Sequence, residues 1–109
     1  MSDTQTPNFE TDAEGYLVDP AQWTEAIARE LARREGIALT EDHWRVIRFM
    51  RDYYAARQIA ADARFAIKDL AAVHGAAARK RLFELFPYGY VKQACKIAGM
   101  RRPRAWSTG

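Results

Sequence analysis

A single thiol, Cys95, lies within the run LFPYGYVKQACKIAGM (Leu85 to Met100) of this 109-residue chain. One cysteine excludes an intramolecular disulfide, so any thiol chemistry must be exchange with a partner's sulfur or with a small molecule. Its surroundings allow two readings. Val91, Ala94, Cys95 and Ala98 fall at i, i+3, i+4 and i+7, one face of a helix, where a small cysteine packs as a hydrophobe. Lys92 and Lys96 flank it on adjacent faces, and nearby cations favour the thiolate, which is the reactive form. Periodicity points to packing and the lysines to reactivity.

Other chemistry is sparse. His43 and His74 share no ligand spacing with each other or with Cys95, so neither a metal site nor a cofactor is expected. Each histidine reads as a half-buried or surface residue. The chain has no phosphate-binding glycine loop and no Gly-x-Ser-x-Gly elbow. Charge is uneven. Residues 1–30 carry seven acids and one base, whereas residues 76–109 carry one acid (Glu84) and eight bases. The basic third suits an anionic protein face, a nucleic acid or an oxyanion, or it lies against the acidic N-terminal third. Arg79, Lys80 and Arg81, on the second of two helices that meet at Gly75, are the candidates for phosphate contact in a helix-turn-helix reading. An exposed basic helix face is more often simply solvated. Lys92, Lys96, Arg101, Arg102 and Arg104 are the candidate partner-binding cations, with Trp106 as an interface anchor.

The elements that position these groups are mainly helical. The length suits one domain over residues 1–109, and no apolar run approaches the ~20 residues of a membrane span. One cysteine and a polar, acidic start point to the reducing cytosol. Residues 1–7 read as a disordered lead-in. Phe9 and Tyr16-Leu17-Val18 around Asp12-Ala13-Glu14-Gly15 read as a small β-hairpin. Asp19-Pro20 opens a first helix, with Gln22 closing a capping box, the stripe Trp23, Ile27 and Leu31 facing inward and Gly36 as its stop. Thr40 caps a second helix that reaches Arg57 and turns Trp44, Ile47, Met50, Tyr53 and Tyr54 toward the core. A third runs from Asp62 to His74 with Ala66, Leu70 and Val73 inward. A fourth runs from Ala76 to Pro87 with Leu82, Leu85 and Phe86 inward. A fifth spans Tyr90 to Ala98 and stops at Gly99. The aromatics at helical spacing, Phe83 included, read as core. Residues 100–109 read as a flexible C-terminal arm. The expected architecture is a compact five-helix bundle with an N-terminal hairpin and that arm.

The run LFPYGYVKQACKIAGM, followed by basic residues and Pro103, resembles the DsrC/TusE family of small sulfur-relay proteins. DAEGYLVDPAQW and LTEDHWRVIRFMRDYYAARQIA extend the resemblance upstream, so that it spans Phe9 to Pro103. The resemblance implies a helical bundle with a mobile arm, and partners that are sulfur-relay or sulfite-reductase-type proteins. It implies sulfur trafficking in sulfur oxidation, sulfite reduction or tRNA thiolation, with at most a sulfurtransferase-type carrier role rather than stand-alone catalysis. In that family the arm's penultimate cysteine carries the sulfur. Sulfite-reductase-associated members have a second cysteine eleven residues earlier, on the last helix. Cys95 matches the helix position, but Trp106 stands where the arm cysteine is expected, and Gly89-Tyr90 replaces the family's Gly-Pro. The resemblance thus leaves Cys95 as the only candidate sulfur-handling thiol. The alternative is a non-catalytic adaptor that binds a relay partner, a sulfite reductase or DNA.

Overall fold

The structure is a computed structural model that describes residues 8–59 and 61–101. The lead-in 1–7 and the arm from 102 onward, with Arg102, Arg104 and Trp106, lie outside the described residues. The fold is mainly helical, built from α1 (Glu25–Arg34), α2 (Glu41–Arg57), α3 (Ala63–His74), α4 (Ala78–Leu85) and α5 (Tyr90–Ile97). Short 3₁₀ turns at Pro20–Gln22 and Gly75–Ala77 punctuate it. α2 packs against both α3 and α5, α1 closes on α5, and α4 lies on α3. Ile27 and Leu31 of α1, Ile47 and Met50 of α2, Leu70 of α3 and Leu82 of α4 meet in one buried cluster that also takes in most of α5.

The N-terminal hairpin does not form. Among the described residues there is a single antiparallel bridge, Thr11 to Leu17, and no strand. The Asp12 carboxylate accepts the N–H groups of Glu14 (2.9 Å) and Tyr16 (3.0 Å), so a side chain supplies acceptors that a ladder would otherwise provide. Tyr16 and Leu17 are then buried in the helical core, while Val18 turns outward.

The first helix also departs from expectation. Asp19 caps only the 3₁₀ turn Pro20–Gln22, through Ala21 N–H at 3.0 Å. Trp23 then takes an extended conformation (φ −58°, ψ 134°), and Thr24 caps α1 anew by accepting from Ile27 N–H at 3.2 Å. The reason lies far away in sequence. The Trp23 indole swings onto the end of α5 and donates Nε1–H to Ile97 O at 2.9 Å. The reciprocal cap appears at α2 instead. There Thr40 Oγ1 accepts from His43 N–H, and His43 Nδ1 accepts from Thr40 N–H at 3.0 Å. His43 Nε2–H donates to Leu85 O at 2.9 Å and so ties α2 to the end of α4. Burial holds the His43 imidazole below its ordinary pKa, in keeping with this neutral tautomer.

Val73 and Phe83, expected inward, are more than half exposed, and Trp44, Tyr53 and Tyr54 sit at the rim. These positions fall at the margin of the stripe that each helix buries. At the other end of the chain, α5 stops at Gly99 (φ +72°), with Met100 N–H returning to Cys95 O at 3.0 Å. The left-handed turn needs glycine, and the space needs it too: a Cβ at residue 99 would run into the Trp23 ring. Gly99→Ala is therefore expected to cost roughly 2–4 kcal/mol, from the backbone strain and the overpacking together. Trp23→Phe, which keeps a ring but loses the indole N–H, should cost about 1 kcal/mol. Urea unfolding of both variants checks this, and a Gly99→Ala variant as stable as the parent would contradict it.

Candidate functional site

Cys95 is fully buried in the middle of α5. The apolar face read from its spacing is real: Val91, Ala94, Cys95 and Ala98 are all buried. Burial alone pushes the thiol up from an ordinary 9.0 to about 12. The expected help from lysine is absent. Lys92 lies out in solvent. Lys96 turns away to place Nζ 3.0 Å from Glu35 Oε2 and 5.3 Å from the Tyr16 ring centroid. Successive helical residues are ~100° apart, so a lysine next to a core-facing cysteine leaves the core. In this conformation Cys95 is a protonated, packed thiol.

What surrounds α5 is a set of polar ties that the sequence did not reveal. Glu35 caps the C-terminal end of α1, where a carboxylate is disfavoured by the helix dipole. Burial pushes its pKa up, but hydrogen bonds from Lys96 and from Gln93 Nε2 (3.2 Å) outweigh that and hold the carboxyl below its usual range. Gln93 Oε1 in turn accepts Tyr88 N–H at 3.1 Å, which closes the loop before α5. At the other end, Arg51 Nη1 donates to Ala98 O, and its guanidinium stacks 3.9 Å from the Trp23 ring centroid. Arg51 had a signal that went unused. It falls at i+4 from Ile47 and i−3 from Tyr54, so it is a cation on the apolar stripe of α2.

The remaining candidates do not converge on Cys95. Arg79 and Lys80 are exposed. Arg81 is engaged: its Nε donates to Asp42 Oδ2 at 2.8 Å and its Nη1 to Glu84 at 3.3 Å. Asp42 also takes His74 Nε2 at 2.8 Å, and Arg81 and His74 together hold its carboxyl below the usual range. Among the described residues, part of the basic third thus meets acids at Glu35 and Asp42. Arg101 is exposed at the end of the described chain, and the other arm candidates, Arg102, Arg104 and Trp106, are not described. Among the described residues no group of three or more His, Cys, Asp or Glu could hold a metal ion.

Residues 3–105 match the model of the family described as DsrC like protein. The sulfurtransferase TusE of Pectobacterium atrosepticum is 46% identical over 95 residues, covering 85% of this chain and 87% of that protein. The sulfurtransferase TusE of Escherichia coli (strain K12) is 43% identical over 97 residues, with 87% and 89% covered. Among solved structures, the oxidized gamma-subunit of dissimilatory sulfite reductase (DsrC) from Archaeoglobus fulgidus superposes with a TM-score of 0.82 at 33% identity, over 91% of this chain and 92% of that one. Allochromatium vinosum DsrC gives a TM-score of 0.77 at 39% identity, with 91% and 90% covered.

The raised thiol pKa has a pH signature. An unfolded chain loses the Cys95 proton at about 9, whereas the folded chain keeps it to about 12. The thiol's contribution is complete below pH 9 and is lost as pH rises toward 12, at up to about 1.4 kcal/mol per pH unit. Cys95→Ala should be less stable than the parent at pH 8, by about 1 kcal/mol. That gap should close near pH 10 and reverse sign by about pH 11 in urea titrations; a gap that does not change with pH would contradict the burial of the thiol.

Proposed function

The chain belongs to the DsrC-like family, and on that basis we propose that it traffics sulfur by docking with sulfur-relay or sulfite-reductase-type proteins, in sulfite reduction, sulfur oxidation or tRNA thiolation. The similarity to curated sulfurtransferases over most of both chains is the observation that carries this reading. Those names favour it over a non-catalytic adaptor. The setting is the reducing cytosol, where a lone thiol stays free.

Cys95 is the chain's sole cysteine, so sulfur carried covalently as a persulfide must be carried there. Its thiolate would attack the outer sulfur of a donor persulfide. The new S–S bond forms on Cys95 as the donor's S–S bond breaks, and the donor leaves as a thiolate that takes up the proton Cys95 gave. No net oxidation occurs. The step needs an opened state, because the resting thiol is sealed and protonated. The end of α5 is the segment that must open. It is short, and Trp23 and Arg51 hold its last carbonyls.

Incubation with glutathione persulfide, followed by intact-mass measurement, tests the reading. The expected result is a gain of one sulfur atom, removed by dithiothreitol and absent in Cys95→Ser. An unfolded chain that accepts sulfur while the native chain never does, even with a relay protein present, would mean that the protein docks without carrying.

A further inference from the structure

Arg51 poses a problem of charge. It leaves α2 on the buried side, and among the described residues no carboxylate pairs with it. Its contacts are the Ala98 carbonyl, which occupies an N–H of Nη1, and the Trp23 ring, which occupies one face. These satisfy hydrogen bonding in part and leave the positive charge without a counter-ion. Desolvation lowers its pKa, and the field of Asp52 offsets this only in part. Asp52 itself belongs to the groove between α2 and α3, on another side of the helix.

The free side of Arg51 faces a pocket of about 140 Å³, lined also by Tyr54, Gly99, Met100 and Arg101. Among the described residues no Asp or Glu lines it. Arg101 is exposed and Tyr54 half-buried where they line this pocket, so each can turn its polar donors toward it. The larger α2–α3 groove, about 500 Å³, is built differently: Glu41, Asp42, Asp52 and Asp69 outnumber Arg45 and Arg48, so its lining is predominantly acidic and disfavours an anion. At about 140 Å³ the Arg51 pocket also falls below the roughly 300 Å³ at which pockets for drug-sized ligands begin. It suits a group of a few heavy atoms.

We infer that this pocket is an anion site that takes one small oxyanion between Arg51 and Arg101, with the Tyr54 hydroxyl as a neutral donor. The planar guanidinium forks match a sulfur or phosphorus oxyanion, or a carboxylate, through paired N–H donors. The site lies where α5 ends and the arm begins, one turn beyond Cys95, and it does not depend on whether that thiol carries sulfur.

Titration of the ¹⁵N-labelled full chain with sulfite, sulfate, phosphate and acetate tests it, with ionic strength held constant by chloride. The expected result is saturable shifts at Tyr54, Gly99, Met100 and Arg101 and at the Arg51 side-chain Nε–H. Affinity should fall about tenfold in Arg101→Ala, the loss of one charge-assisted hydrogen bond. Arg101 is exposed, so that variant should unfold at the parent's temperature; Arg51→Lys, which keeps the charge without the fork, should weaken binding as well. Preference for sulfite, sulfate or phosphate over acetate identifies a free oxyanion as the occupant, and equal binding of acetate identifies a peptide carboxylate. Shifts that rise linearly with salt, that are as large at Arg79 and Lys80, or that persist unchanged in Arg101→Ala would overturn the site.

Discussion

The closure of the Trp23 indole over the last turn of α5 is the contact on which the rest of the molecule depends. It donates to Ile97 O and fills the volume that any side chain at residue 99 would need. The N-terminal helical segment is interrupted at the same residue, where Trp23 is extended between the 3₁₀ turn and the Thr24 cap of α1. Arg51 stacks on the outer face of the same ring and takes the next carbonyl, that of Ala98. With Glu35 gripping Lys96 and Gln93, the middle and the last turn of a helix of 8 residues are fastened from outside. Such a helix has little stability of its own; these ties and the burial of its apolar face fix it in place.

The chemistry of the single thiol follows from that fixation. A cysteine in a basic stretch is a candidate nucleophile only if the cations reach it, and here they are spent elsewhere. Lys96 neutralises a carboxylate on α1, Arg81 neutralises Asp42, and Lys92 is solvated. The sulfur is left in an apolar environment that favours the proton. A transfer role is compatible with this only through motion, and sealing the thiol at rest would protect it from adventitious oxidation. Arg51, at the C-terminal end of the same assembly, is a partly buried charge that no carboxylate pairs with among the described residues.

Much of the helical layout was legible because it depends on local signals. The Thr40 cap, the stops at Gly75 and Gly99 and the buried face Val91, Ala94, Cys95 and Ala98 are written within a few residues of one another. What was missed depends on distance. The Trp23–Ile97 bond spans 74 positions, Lys96–Glu35 spans 61 and Arg51–Ala98 spans 47. No local period encodes such pairs, so the sequence made Pro20 the start of one continuous helix and assigned Lys96 to Cys95. The hairpin failed for a local reason that was visible but underweighted: Asp12 competes for the very N–H groups a second strand would use. The cation on the apolar stripe of α2 was likewise in plain view, at Ile47, Met50, Arg51 and Tyr54.

The central claim is that Cys95 reacts only when the end of α5 comes away from Trp23 and Arg51. The most direct measurement is its alkylation rate at pH 8, native against unfolded, alongside hydrogen exchange of the Ala98 and Met100 amides. A sealed, protonated thiol should react at least about a hundredfold more slowly in the native chain, with a rate that rises in step with exchange at those two amides as denaturant is added. Native alkylation as fast as in the unfolded chain, or independent of that exchange, would contradict the account.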